Sequence, residues 1–387
     1  MNSLPPLYDH PRSPPALYVH IPFCLSKCGY CAFCSGLYDA ALADAYLDAL
    51  EKEFTARRHV LGEQGPSTLF VGGGTPSSLT MEQLSRLLSF LQYPGNGEAT
   101  CELNPDSTTR EKLILLREHG INRCSFGVQT FSKQGLELLQ RRHDADTAKK
   151  AVKEALDVGF SSISIDLIMG WPGQQPADLL ADLRIAVDLG ITHLSCYQLI
   201  LEEESRCFEE YRALLPDDTD EAEEILWSTA ETYLADSGFE HYETSNFARM
   251  GYRCRHNVDI WRGGEYLGIG LSAHSHLAGI RSANTCNLAL YLRENGDPER
   301  IQVFSEQLGG EAKARECAVF WFRLFEGIDV AAFKRRTGWE LLELYPKEIP
   351  DLLRRGIMEN VDRPEGRFVR VAAHYQPVLD SILVDLV

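Results

Sequence analysis

Short apolar, β-branched stretches alternate along the chain with longer segments whose apolar residues recur every three to four positions. That alternation predicts β-α units. The predicted strands are 16–20, 68–71, 99–103, 123–128, 162–167 and 193–198. Helical patterning covers 40–57, 81–91, 109–118, 146–158 and 176–188, and another predicted helix, 220–236, follows the sixth strand. Six such units in succession imply parallel strands joined by right-handed crossovers. The alternation fades after about residue 240, so an open or incomplete α/β barrel of (β/α)6 type is expected.

Ligands of parallel α/β sheets collect at the carboxyl ends of the strands. The chemically distinctive residues fall there. Cys24 follows the first strand and Gly72 to Pro76 the second, while Glu102, Gln129, Asp166 and Tyr197 end the third to sixth. A Gly-, His- and Asn-rich stretch then runs to Asn287 and is expected to hold loops and short strands. From about Ser305 helical patterning returns over 312–325, 330–337, 339–348 and 349–355, followed by a strand pair, 357–361 and 367–371, and a last helix, 375–386. Helices followed by a small hairpin predict a winged-helix-like module. The expected organisation is therefore a lead-in at 1–15, the partial barrel at 16–240, a connecting region at 241–304 and the C-terminal module at 305–387.

Charge narrows the partners. The 38 Lys and Arg residues stand against 56 acids, a net charge of −18. Nucleic-acid binding draws on Lys and Arg, so that balance argues against it, in the C-terminal module included. No apolar run approaches the ~20 residues of a membrane helix, and the proline-rich first fifteen residues lack the apolar segment of a signal peptide. A cytoplasmic, reducing setting is therefore expected, with the 11 cysteines either reduced or bound to metal.

Most cysteines are scattered singly, as small buried hydrophobes usually are. The exception is Cys24, Cys28 and Cys31, spaced CxxxCxxC on a predicted loop. Three thiolates can hold three irons of a [4Fe–4S] cluster and leave the fourth open to a small ligand. With Cys34 nearby, four ligands for a structural zinc are also present, and the spacing alone leaves both open.

The run Tyr18-Val19-His20-Ile21-Pro22-Phe23-Cys24 leading into CxxxCxxC resembles the radical S-adenosylmethionine (SAM) superfamily. More narrowly it resembles the branch of the oxygen-independent coproporphyrinogen III oxidases and the HemW haem chaperones. Further motifs follow in that branch's order: Phe70 to Ser77 (FVGGGTPS), Glu102 to Pro105 (ELNP), Arg123 to Phe131, Asp166 to Gln174 (DLIMGWPGQ), Tyr242 to Ala248, and His256 to Trp261 (HNVDIW). The resemblance implies a radical SAM partial barrel with a [4Fe–4S] cluster on Cys24, Cys28 and Cys31. It implies SAM contacts from Tyr18, Tyr30, Gly73, Gly74, Thr75, Glu102, Gln129, Arg141, Asp166 and Ile168. In that setting Gly73 and Gly74 would bring backbone to the SAM amino group, Glu102 would meet the ribose or an ammonium, and Ile168 would pack on adenine. By residue type alone, Tyr30 also suits a loop anchor and Arg141 a solvated helix charge. The implied chemistry is reductive cleavage of SAM to methionine and a 5′-deoxyadenosyl radical, with orientation and exclusion of water supplied by the protein.

Within the branch, the oxidases carry another cysteine two residues after the third ligand. Here that position is Phe33, and Cys34 comes one residue later. The chaperones show an HNxxYW motif, matched here by His256 to Trp261 with Ile260 in place of Tyr. His256 is thus a candidate haem ligand, or else a structural histidine; His274 and His276 are further candidates. Three functions follow as expectations: a haem chaperone using SAM and a cluster; a radical SAM enzyme acting on a tetrapyrrole or heteroaromatic substrate; and a zinc-stapled binding module. The first two imply SAM, haem or a tetrapyrrole, and a reductant protein of flavodoxin or ferredoxin type as partners. A haem-accepting apo-protein is implied by the first.

Overall fold

The computed structural model of the protein describes residues 14–95, 97–203, 205, 207–214 and 220–386. Most of the expected lead-in lies outside the described residues. The six expected strands form: β1 (Ala16–Ile21), β2 (Thr68–Gly73), β3 (Glu98–Leu103), β4 (Arg123–Gln129), β5 (Ser162–Met169) and β6 (His193–Gln198). They pair in parallel in chain order, with registers such as Val19 opposite Val71, Val71 opposite Cys101 and Ile165 opposite Leu194. Val19, Val71, Phe126, Ile165, Leu167 and Leu194 are buried, as expected where helices cover a parallel sheet.

The helices begin where capping side chains permit. Asp39 accepts from the Leu42 amide ahead of α1 (Ala40–Arg57), and Thr80 closes a reciprocal capping box with Gln83 ahead of α2 (Met81–Leu91). Thr109, Ser132 and Asp144 do the same for α3 (Arg110–Glu118), α4 (Lys133–Leu138) and α5 (Ala145–Val158).

The stretch after residue 240 builds sheet as well as loops. β7 (Glu240–Glu243) and β8 (Asn246–Ala248) extend the β6 edge antiparallel. On the other edge β9 (Tyr266–Ile269) pairs in parallel with β1, and β10 (His274–Leu277), β11 (Ile280–Asn284) and β12 (Gln302–Gln307) continue antiparallel. The result, among the described residues, is one open sheet ordered β12-β11-β10-β9-β1-β2-β3-β4-β5-β6-β8-β7. These added strands are only three to six residues long, so their alternation is weak in sequence.

The C-terminal module has its own core. α6 (Gly310–Trp321) and α7 (Val330–Thr337) precede a helix at Glu348–Arg354 and the hairpin Met358–Arg363/Gly366–Val371, joined by the short strand Ile328–Asp329. Trp321, Phe322, Phe333, Tyr345 and Val369 pack there with Tyr242, Ala248 and Val258 from the preceding region. Two expected helices are shorter than their patterns. Of 339–348 Leu341–Leu344 is α-helical and Glu348 already opens the next helix, and 375–386 starts as a 3₁₀ turn around Pro377, which has no amide hydrogen to donate.

One cysteine expectation is overturned. Cys34 and Cys286 form a disulfide that links the end of the cysteine loop to the segment after β11, so these two are neither reduced nor metal-bound. They lie 252 residues apart, and nothing local marks them as partners.

Candidate functional site

A cavity of about 580 Å³ opens at the carboxyl ends of β1 to β6. Cys24, Cys28 and Cys31 line it together with Tyr30, Gly73, Gly74, Thr75, Glu102, Gln129, Arg141, Asp166 and Ile168. Every SAM-contact residue expected from the sequence except Tyr18 is therefore gathered in one place.

The cysteine loop is held by backbone as much as by side chains. Phe23–Cys24 pairs in parallel with Gly36–Leu37, and the Cys207 amide donates to the Gly29 carbonyl at 3.1 Å. A side chain on Gly29 would strike Cys207 Sγ at 2.2 Å, so glycine is required for this close approach. Tyr18 stands one layer below the cavity. Its hydroxyl meets His20 Nδ1 at 3.0 Å, and His20 Nε2 reaches the Cys34 carbonyl at 2.9 Å, so Tyr18 supports the loop through His20.

All three thiols carry polar partners, that of Cys31 being the Phe33 backbone. Thr75 Oγ1 donates to Cys24 Sγ at 3.4 Å, and Arg141 Nη1 donates to Cys28 Sγ at 3.2 Å. Burial raises the Cys24 and Cys31 thiols above their ordinary range, with Thr75 opposing this at Cys24. Arg141 is fixed on its other side by Asn104 Oδ1 at 2.7 Å and the Gly127 carbonyl at 2.5 Å. It is thus a built-in cation at the cluster loop, and the solvated-charge alternative does not apply. Asn104 also donates to Thr75 Oγ1 at 3.0 Å, tying Thr75 and Arg141 together.

The glycine turn after β2 lies against the loop. Gly74 donates its amide to the Ile21 carbonyl at 2.8 Å, and a Cβ there would stand 2.9 Å from the Phe23 carbonyl oxygen. Gly73 has φ +109°, and its amide donates to Glu102 Oε2 at 3.0 Å. Glu102 and Asp166 face one another across β3 to β5. Desolvation, then the Asp166 charge, pushes the Glu102 carboxyl up to about 8. Asp166 is raised by burial and partly relieved by Ser195 and Ser125, the latter donating at 3.1 Å. Gln129 reaches the cavity from a β-bulge at φ +72°, a strained backbone for a non-glycine residue.

These residues fit a [4Fe–4S] cluster and SAM. Three thiols share the cavity with an acidic pair suited to an ammonium and ribose, a backbone turn free of side chains, and an apolar wall at Ile168. A zinc staple through Cys34 does not fit, because Cys34 is spent on Cys286. Among the described residues no three His, Cys, Asp or Glu groups are gathered to hold a single metal ion.

His256 lies elsewhere. It is 3% exposed, meets Thr68 Oγ1 at 2.8 Å beside the amino end of β2, and donates its backbone amide to Glu98. Burial and then Arg123 hold its imidazole down at about 3, so it is neutral. Sequence reasoning missed the contributions of Asn104, of Gln198 at the end of β6, and of Ile200 and Glu202 beyond it, all of which line the cavity. Asn104 stood inside the ELNP motif and was within reach; the last three carry no local signal.

The sequence profile of the Radical SAM superfamily matches residues 18–186. The chain is 35% identical to the heme chaperone HemW of Bacillus subtilis (strain 168), over 89% of this chain and 92% of that protein. It is 37% identical to the heme chaperone HemW of Escherichia coli (strain K12), over 71% of each. In structure it resembles coproporphyrinogen III oxidase (HemN) from Escherichia coli, a radical SAM enzyme, with TM-score 0.84 and 26% identity over 97% of this chain and 91% of that one.

Proposed function

The chain belongs to the HemW family of the radical SAM superfamily, and on that footing we propose that it is a haem chaperone that binds haem and delivers it to an apo-protein. The observation that carries this is the similarity to a HemW protein along about nine-tenths of the chain and of that relative. In this proposal Cys24, Cys28 and Cys31 hold a [4Fe–4S] cluster, and Arg141 and Thr75 temper the negative charge of its thiolates. Gly73 and Gly74 admit the methionyl end of SAM, Glu102 and Asp166 receive its ammonium and ribose, Gln129 orients it, and Ile168 covers the adenine. Tyr18 and Tyr30 brace the loop from below and beside. When bound, the cluster supplies the electron that cleaves SAM reductively.

The finer parts of the proposal are a flavodoxin- or ferredoxin-type reductant, a haem-accepting apo-protein, a cytoplasmic setting and a division into a barrel at 16–240, an edge region at 241–304 and a module at 305–387. No helix among the described residues is long and apolar enough to cross a membrane. The acidic surface, at net −18, argues against a nucleic-acid partner. His256, the haem ligand suggested by the sequence, would have to leave Thr68 and the interior to meet iron.

The likeness to HemN supports a second function, SAM-dependent oxidation of a tetrapyrrole in the barrel cavity. Haem titration of the anaerobically reconstituted protein separates the two. Saturable, stoichiometric Soret absorbance is expected for the chaperone. No saturable uptake, together with 5′-deoxyadenosine formed in step with turnover of a tetrapyrrole, would replace it with the enzyme.

A further inference from the structure

A second cleft lies away from the cysteine loop, where the β9 to β11 edge of the sheet meets α6 and α7 of the C-terminal module. It encloses about 190 Å³ within roughly 880 Å³ that opens to solvent. Its apolar walls are Trp261, Tyr266 and Phe320, with the Trp261 and Phe320 rings 5.9 Å apart. His274 and His276 enter from alternate positions on β10, and the Tyr266 ring stands edge-on to His276.

Charge is inverted here relative to the molecule. The chain carries −18 overall, yet Arg281, Lys313 and Arg336 converge on this cleft against Glu316. Arg281 is committed to Glu306 and Glu316. Arg336 uses Nη1 on the Gly263 carbonyl at 2.8 Å, which leaves further guanidinium donors to face the cleft. Lys313 is 7% exposed and packs over Gly279. The buried Trp261 Nε1 and Arg281 Nε have no hydrogen-bond acceptor among the described residues. A buried lysine, two part-exposed arginines and unmatched donors beside aromatic walls call for a ligand with acceptor groups at the edge of a flat apolar body.

We propose that this cleft binds the carboxylate-bearing edge of a planar macrocycle, with Lys313 and Arg336 receiving the carboxylates, Trp261 and Phe320 covering the ring, and His276 presenting its imidazole to the ring centre. The enclosed part is too small for a whole porphyrin, so the outer half stays exposed, which suits a ligand that is to be handed on. Haem as the macrocycle rests on the proposed chaperone function; the site for a dicarboxylate porphyrin does not.

The test uses the full chain with three probes, haem, metal-free protoporphyrin IX and its dimethyl ester, followed by Soret absorbance and quenching of tryptophan fluorescence. Lys313→Gln/Arg336→Gln is expected to weaken haem and metal-free porphyrin alike by about tenfold or more. His276→Gln is expected to weaken haem alone. In the unaltered protein, which needs no variant to fold, the dimethyl ester is expected to bind about tenfold more weakly than the free diacid. Equal affinity for ester and diacid, or undiminished binding by the double variant, would overturn the cleft assignment while leaving a haem chaperone with its site elsewhere. Binding of metal-free porphyrin with the expected losses, but not of haem, would uphold the cleft and remove the chaperone function. Binding of neither would remove both.

Discussion

At the residue scale, Glu102 shows how the cavity prepares for a cation. Its carboxyl, pushed up to about 8, holds a proton in the folded chain that it would lose near its ordinary 4.5 when unfolded. The folded state therefore binds more protons between those values, and this group's contribution to stability falls as pH rises across that window. Glu102→Gln is expected to remove that slope, measured as urea midpoints that decline less with rising pH over the same window. An ammonium drawn to Glu102 would expel the proton, so SAM uptake by the unaltered protein below about pH 8 should release protons, seen calorimetrically in buffers of different ionisation enthalpy. His256 presents the opposite case, a polar group satisfied inside the fold. His256→Ala leaves the buried Thr68 hydroxyl without its partner and is expected to cost about 1–3 kcal/mol in urea unfolding. If the second cleft holds the macrocycle, its Soret band persists in that variant.

At the scale of elements, the turn after β2 and the cysteine loop are built as one unit. Gly74 lies between the Ile21 and Phe23 carbonyls, and Ser78 Oγ donates to the Phe23 carbonyl at 3.2 Å, so the two segments share backbone contacts on several sides. Gly74→Ala forces its methyl against fixed backbone oxygens. It is expected to cost about 1–3 kcal/mol and to lower iron content per chain after reconstitution, measured by iron and sulfide analysis. Normal iron loading in that variant would show that the loop adjusts independently of the turn. The Cys34–Cys286 disulfide adds a covalent tie from the same loop to the segment after β11. Both ends of the cysteine loop are therefore anchored, one by hydrogen bonds and one by a bond between distant parts of the chain.

At the scale of the molecule, two cores meet. The barrel core gathers residues from Leu17 to Ile301, and the C-terminal core draws Tyr242, Ala248 and Val258 out of the preceding region. Ion pairs cross the same boundary, with Arg253 and Arg262 both on Glu326. A chain ending at residue 304 would expose that apolar face. It is expected to bind a hydrophobic dye and to melt at a lower temperature than the full chain. An unchanged melting temperature would mean that the barrel does not depend on the module. The second cleft also needs both parts, since Trp261, Tyr266 and His276 come from one side and Lys313, Phe320 and Arg336 from the other.

The barrel strands and the cysteine loop were legible in the sequence because their signals are local. Apolar runs such as Ser162–Met169, three cysteines within eight residues, and polar residues at strand ends need no knowledge of distant chain. The same locality placed Gly73, Glu102, Gln129 and Asp166 on one rim, because parallel β-α units bring all strand ends to the same side. Tertiary structure alone decided what depends on pairs far apart in sequence. Tyr266–Ile269 becomes a strand because Ala16–Val19 offers it an edge, although its own pattern is too short to announce one. Cys34 leaves the metal question because Cys286 is brought beside it. His256, exposed to any assignment by motif, is turned inward by Thr68, Glu98 and Phe70. The basic cleft exists only where β10 and α6 meet, because short-range patterning records which face of an element is apolar but not which partner will cover it.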